Sequence, residues 1–320
     1  VGFQPDLVWL KSRTNTEYHN LVDSVRGNTK YLYSNSGEAE ATSSTRVTAF
    51  GSDGFSLGTD DNVNMNSQNF VSWNWKAGTS FTNDASATGI GTIDSAGSVN
   101  TNSGFSIVSW TGTGSAGTIK HGLSTVPKMI IVKTRSTSNI WSVYHVGLGN
   151  THYMQLNEPD NATDNATYWS DTTPTSSVFS VGTASGVNGS GVTNIAYCFA
   201  DVKGFSKISS YTGNASTDGT FVYCGFKPSF IFTKATATGE GWQIYDNKRL
   251  GVNATEKVLY PNTSSSESTL TGGVDFLSNG FKWRTADGGV NSSQLYIYMA
   301  FAENPFVATS GTNAVPVTAR

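Results

Sequence analysis

The chain is predicted to be all-β, as three tandem β-sandwich repeat modules of a jelly-roll-like kind. Three observations carry that expectation. Short apolar runs of period two alternate with Gly, Asn, Asp and Ser turns. The same series of runs recurs three times in one order. No segment sustains an apolar stripe of helical period.

The elements of the repeat follow one another in order. A Gly-hydrophobic pair opens each unit (Gly2-Phe3, Gly122-Leu123, Gly225-Phe226), and a proline, an apolar run and a lysine follow. These runs are Pro5 to Lys11, Pro127 to Lys133 and Pro228 to Lys234. Next come strand segments that end in Asn35, Asn157 and Asn262, then a strand centred on Phe55, Phe179 and Phe281. A Val-Asn turn follows at Val63-Asn64, Val187-Asn188 and Val290-Asn291. Each unit closes on an alternating strand: FVSWNW from Phe70, IAYCF from Ile195 and YIYMAF from Tyr296. Units two and three have in addition an opening strand, GFSIVSWTG from Gly104 and GFSKISSYTG from Gly204. The first unit lacks it, and His19 stands where the others have Trp141 and Trp242.

The boundaries that follow are 1–78 for the first module, without its opening strand, 104–203 for the second and 204–306 for the third. Residues 79–103 read as a Gly/Ser/Thr/Asn-rich linker with at most one strand near Gly91–Ile93, and 307–320 as an extended tail. The missing strand leaves a vacant place in the sheet of the first module. It is expected to lie open next to Val1, or to be paired by another chain. Val1 reads as an interior position, and no signal-peptide pattern is visible ahead of it.

Composition excludes several classes. Lys and Arg number 20 against 23 Asp and Glu, a net charge of -3 that gives no basic patch for nucleic acid. Charged residues are 13% of the chain and aromatics 12%, and the aromatic content argues against disorder. No apolar run reaches the roughly 18 residues of a membrane helix. Four His and two Cys are too few for a rich metal site, so no metal and no cofactor are expected. Cys198 and Cys224 lie in apolar strand contexts and read as buried free thiols. The Asn-X-Ser/Thr triplets read as turns.

Chemistry is sparse. No G-x-S-x-G nucleophile elbow opens a helix, and no pair of carboxylates repeats with the modules, so the chain reads as non-enzymatic. The Asp60-Asp61 and Asp160/Asp164 clusters read as Asx turns in preference to calcium loops. Lys11, Lys133 and Lys234 read as structural: each ends an apolar strand, its stem over the core and its ammonium on a carboxylate or carbonyl. The candidate ligand-binding residues are Tyr168, Trp169, Asp171, Asn161 and Asp164. Aromatics flanked by Asn and Asp suit a sugar-stacking loop, although a Trp packed beneath a loop fits the same pattern.

The strings GFQPDLVWLKSR (Gly2–Arg13), DSVRG (Asp23–Gly27), GFSIVSWTG (Gly104–Gly112) and YIYMAFAENPF (Tyr296–Phe306) resemble a repeat module of unknown function. That module occurs in tail-fibre-like and other structural proteins of marine tailed bacteriophages, often downstream of a concanavalin-like lectin domain. The resemblance implies a virion location and a surface or host-contact role, and it supplies no catalytic residue. The expected function is therefore host-surface attachment by a tail fibre or appendage, through loops of rigid modules. Other virion subunits and a host polysaccharide or outer-membrane receptor are the expected partners, and a homo-oligomer the expected state. A capsid-decorating or purely architectural virion protein is the alternative, and a secreted carbohydrate-binding module the third.

Overall fold

The structure is a computed structural model and describes residues 1–237, 239–249 and 253–304. The tail expected at 307–320 lies outside the described residues. The first stretch holds β1 (Leu7–Ser12), β2 (Asn20–Asp23), β3 (Lys30–Tyr33), β4 (Ala41–Thr42), β5 (Val47–Gly51), β6 (Gly54–Leu57), the single turn α1 (Asp61–Asn64) and β7 (Phe70–Trp75). Then come β8 (Thr79–Asn83), α2 (Ala85–Thr88), β9 (Ser95–Asn100), β10 (Phe105–Thr111), β11 (Gly117–Lys120), β12 (Met129–Thr134) and β13 (Trp141–His145). They are followed by β14 (His152–Gln155), β15 (Thr163–Asp164), α3 (Ala166–Trp169), β16 (Val178–Val181), α4 (Ser185–Asn188) and β17 (Thr193–Phe199). The last stretch holds β18 (Ser206–Thr212), β19 (Phe221–Tyr223), β20 (Pro228–Ala235), β21 (Gln243–Asp246), β22 (Thr255–Val258), β23 (Ser268–Leu277), β24 (Gly280–Trp283) and β25 (Leu295–Ala302).

Three principal sheets have the orders β4-β3-β2-β1-β7, β15-β14-β13-β12-β17-β10-β9-β8 and β18-β25-β20-β21. Smaller sheets, β5-β6, β11-β16 and β19-β24-β23-β22, complete the sandwich-like layers. In each principal sheet the strand with the Pro-to-Lys run lies between the strand that follows it and the closing strand. The glycines before those runs, Gly2, Gly122 and Gly225, have φ of +86°, +76° and +81°. That backbone region disfavours any side chain with a Cβ, which accounts for the recurring glycine.

The residues of β1, β12 and β20 are buried on both faces, and this explains their near-continuous apolar runs. One face of each strand (Leu7 and Trp9, Met129 and Ile131, Phe230 and Phe232) enters a single core shared by all three sheets. The other face enters a separate outer core: Val8 and Leu10 in one, Ile130 and Val132 in another, Ile231 in the third. At the centre, Trp75, Phe199 and Phe301 from the three closing strands form a triangle with ring centroids 6.0, 6.1 and 6.3 Å apart. Each pairs across its ladder with Leu7, Met129 or Phe230 respectively.

Main-chain hydrogen bonds close the arrangement into a ring. Glu40 N–H donates to the Arg135 carbonyl (2.8 Å), Ala162 N–H to Thr236 (2.9 Å) and Glu267 N–H to Arg13 (2.8 Å). A second ring lies deeper. Tyr197 Oη donates to Asp23 Oδ2 (2.8 Å), His145 Nε2 meets the Tyr298 carbonyl (3.2 Å) and Trp73 Nε1 donates to Asp246 Oδ2 (3.1 Å). His145 Nδ1 accepts from Gly147 N–H (3.0 Å), so its ring is neutral, and burial lowers its pKa to about 4. Burial lowers His121 to about 4 as well, and His19 well below its usual value.

Residues 79–103 correct the linker expectation. They form two strands, β8 and β9, joined through α2, and β9 pairs with β10 so that the hairpin extends the central sheet. Ile93 makes only an isolated bridge to Ile119. Gly/Ser/Thr-rich composition reads as linker in isolation, but the open edge of β10 supplies the pairing that holds it as sheet. The edge of β7 away from β1 has no strand partner among the described residues. Val1 lies at the β5–β6 hairpin, where Gly2 N–H donates to the Asp53 carbonyl (2.8 Å). Cys198 and Cys224 are free and buried, and burial pushes both thiols up to about 12.

Two outcomes are expected. Phe199→Ala, at the central triangle, lowers stability by about 3–5 kcal/mol in denaturant titration. The folded-state pKa of His145 and His121 is depressed, so the unfolded chain binds more protons between pH 6.5 and about 4. The histidines' contribution to stability is therefore full above pH 6.5 and is lost as pH falls through that window, with about 3 kcal/mol resting on His145. His145→Gln flattens that slope in thermal melts recorded as a function of pH.

Candidate functional site

The sugar-binding loop expected around Trp169 is not formed. Trp169 is 2% exposed and donates Nε1–H to the His152 carbonyl (3.1 Å), with its ring against Tyr144. Tyr168 is half-buried and stacked on Tyr153, with centroids 3.6 Å apart and planes 10° from parallel. Asn161 Oδ1 accepts from Gly239 N–H (2.7 Å) and so joins two sheets; Asp164 and Asp171 are exposed. The aromatic faces that a sugar would need are spent on packing. Single turn α3, capped by Asn165 Oδ1, folds the Tyr-Trp pair inward, and nothing in the local sequence marks that direction.

An exposed aromatic pair lies elsewhere, on β19. Phe221 is 43% and Tyr223 65% exposed, and Val222 between them is buried. The strand's period of two puts both rings on one outward face at the edge of the β19-β24-β23-β22 sheet. Opposite them are Lys282 and Gly280 of β24. The Phe221 ring lies over Gly280, and the Tyr223 ring beside Gly225. Charged groups flank the pair: Lys282 Nζ meets Asp218 Oδ1 (2.6 Å), and Arg284 pairs with Asp275. The Lys282 ammonium holds the Asp218 carboxyl below its usual pKa, so it is ionised at neutral pH. In the corresponding place β11 presents Thr118 and Lys120, with Ile119 inward. The aromatics are thus particular to β19, and the fold does not require them. Reading the FVY run as an edge strand with Val inward would have found them from sequence.

Two shallow clefts, of about 310 and 370 Å³, border the β8–β9 hairpin. Their charged residues are already engaged. Asp94 Oδ1 accepts from Ala85 N–H, Arg135 forks onto Glu40, and Asp6 accepts from Ala77 N–H, Gly78 N–H and Ser24 Oγ–H. Among the described residues no three His, Cys, Asp or Glu side chains gather to hold a metal.

The repeat-equivalent residues lie inside the fold. Lys11, Lys133 and Lys234 are fully buried. Each Nζ donates to the carbonyl of the next residue, at 2.7, 3.0 and 3.1 Å. A second carbonyl completes each site: Asn15 for Lys11, Gly37 for Lys133 and Pro159 for Lys234. The last two come from the neighbouring sheet's loop, so these lysines tie adjacent sheets. Burial lowers all three to about pKa 8. Asn35, Asn157 and Asn262 each accept through Oδ1 from the backbone N–H of His19, Trp141 and Trp242, at 2.9, 2.8 and 3.0 Å. The two indoles then donate across to the Tyr33 (2.8 Å) and Gln155 (2.7 Å) carbonyls.

One protein-family description, a domain of unknown function (DUF7483), matches residues 1–305, and the chain belongs to that family. No curated protein and no solved structure matches the chain.

The three lysines set a pH dependence of their own. Their folded pKa near 8 lies below the 10.5 of the free side chain, so the unfolded chain binds more protons between those values. Stability accordingly rises with pH from about 8 to 10, before the tyrosines begin to ionise in the unfolded state. Lys133→Met removes part of that rise, read from denaturation midpoints at pH 8, 9 and 10.

Proposed function

We propose that this member of a family without assigned function is a non-enzymatic structural protein of a bacteriophage virion. In this reading three tandem jelly-roll-like modules form one rigid body on a tail fibre or appendage, and that body contributes to attachment at the host surface. The resemblance of its repeat strings to modules of marine tailed phages supports the virion location. The closed rings of hydrogen bonds support rigidity, because no sheet moves without breaking contacts to both others. Buried lysine and asparagine groups act within that body and none is directed to a ligand.

The observation that carries the attachment reading is the Phe221/Tyr223 edge. Exposed aromatic rings bind the C–H faces of pyranose sugars, and ion-paired Lys282–Asp218 and Arg284–Asp275 beside them offer donors and acceptors to hydroxyls. The ligand class is a bacterial surface polysaccharide, bound without covalent chemistry.

A second reading is contact with other virion subunits as a capsid-decorating or architectural protein, in which the exposed Phe221/Tyr223 edge meets a protein surface. Nanogold labelling of virions separates the two: signal on the tail supports attachment, and signal on capsid facets supports decoration.

Binding of the purified chain to a panel of bacterial surface polysaccharides tests the site. Tyr223→Ala is expected to weaken the bound polysaccharide about tenfold, near 1.4 kcal/mol, with the melting temperature unchanged. Binding that neither Tyr223→Ala nor Phe221→Ser alters, or no binding to any polysaccharide, overturns the proposal.

A further inference from the structure

We propose that the free edge of β7 is an acceptor for one more antiparallel strand, of the class that β10 and β18 supply elsewhere, entering from the N-terminal side of Val1. The closing strands β17 and β25 each have two neighbours: β17 lies between β12 and β10, and β25 between β20 and β18. β7 has β1 alone. In an antiparallel ladder alternate residues bond to opposite sides. Arg13 N–H donates to the Asn69 carbonyl, and the register pairs Lys11 with Val71, Trp9 with Trp73 and Leu7 with Trp75. The backbone groups of Phe70, Ser72 and Asn74 therefore point away from β1. In β17 the corresponding Asn194, Ala196 and Cys198 face Trp110, Val108 and Ser106 of β10.

A side chain gives independent support. Asn74 is fully buried, and its Oδ1 has no hydrogen-bond partner. Its amide nitrogen reaches only Ser72 Oγ on its own strand (3.1 Å). A buried acceptor left unpaired costs about 1–3 kcal/mol. The place opposite Asn74 corresponds to Ser106, which lies opposite Cys198. A strand with that Gly-Phe-Ser alternation would bring a hydroxyl donor to Asn74, and would aim its Phe at the shared core, as Phe105 and Phe205 do.

The direction of entry follows from the neighbouring sheet. The chain runs from β10 through β11, paired with β16, to Gly122, and from β18 through β19, paired with β24, to Gly225. Gly2 occupies that same station, and its N–H is bonded to Asp53, next to β6. β6 also lacks a second partner among the described residues, so both stations of the path are open.

The test is a fusion that copies Gly104–Lys120 ahead of Val1, compared with the chain as it stands by hydrogen exchange and thermal melting. The expected result is a monomer with a raised melting temperature, in which the Phe70, Ser72 and Asn74 amides slow at least tenfold while those of Val71 and Trp73 change little. Ser72→Pro in the fusion removes the gain, and proline is tolerated where a strand's N–H faces outward. If that variant fails to fold, a fusion with proline at the position copied from Ser106 serves the same purpose. Unchanged exchange at the three amides overturns the proposal. So does a fusion that gains protection only as a concentration-dependent dimer, since the strand would then be donated between copies.

Discussion

Everything in this fold leans on the contact of Trp75, Phe199 and Phe301, where three sheets meet through one ring each. A large aromatic side chain buries about 150–250 Å², an upper-bound hydrophobic contribution of about 4–6 kcal/mol. The larger consequence is geometric. A sheet that gives one face to this core and the other to its own outer layer has no face left for water, so its central strands become apolar throughout. That accounts for β1, β12 and β20, whose sequences read as continuous runs where a two-layer sandwich would show alternation. It also accounts for the low charge content, since the surface available to ionised groups shrinks when three sheets share a centre.

Polar groups caught in that arrangement are satisfied across the junctions. Asp23 and Asp246 each carry an arginine three residues on, Arg26 and Arg249, which also bonds the carbonyl of Leu21 or Ile244. In the middle sheet His145 takes the place of the aspartate, and its partner is a main-chain carbonyl. The outer junctions show the same substitution of means: bidentate Arg135–Glu40 and Arg13–Glu267 at two of them, and Thr236 with Ala162 at the third. The backbone hydrogen bond is kept at all three, so it is the common element and the charges are local additions. Buried ion pairs seldom add net stability, but removing one partner strands a charge, and this favours a single mutual orientation of the sheets.

His19 shows how an exception fits the same geometry. Where Trp141 and Trp242 donate an indole N–H to the preceding sheet, His19 accepts through Nδ1 from Trp9 of its own sheet (3.0 Å). The Tyr260 backbone oxygen, at the place of Tyr33 and Gln155, faces it from the third sheet. The ring is preserved in outline while the donor changes. Two positions lie outside the ring: the outward side of β19 and the edge of β7 that has no strand partner among the described residues. Both lie where the three sheets differ, and both escape the packing that consumes Trp169.

Strand content, the order of the repeated landmarks, and the equivalence of the lysines and of the asparagines were all legible in the sequence. Each is set by local pattern: alternation, a positive-φ glycine, a strand-ending lysine. The tertiary structure alone decided three other things. Residues 79–103 have the composition of a linker, yet they form β8 and β9 because the edge of β10 offers hydrogen bonds that composition does not encode. Trp169 lies among polar residues and Tyr223 in the apolar run 221–226, yet the inward turn of α3 makes the first a core indole and the outward face of β19 leaves the second an exposed ring. The buried lysine ammoniums find carbonyls from loops far along the chain, Gly37 and Pro159, because the sheets close into a ring. Side-chain period specifies which residues share a face, but what that face meets depends on how distant sheets pack.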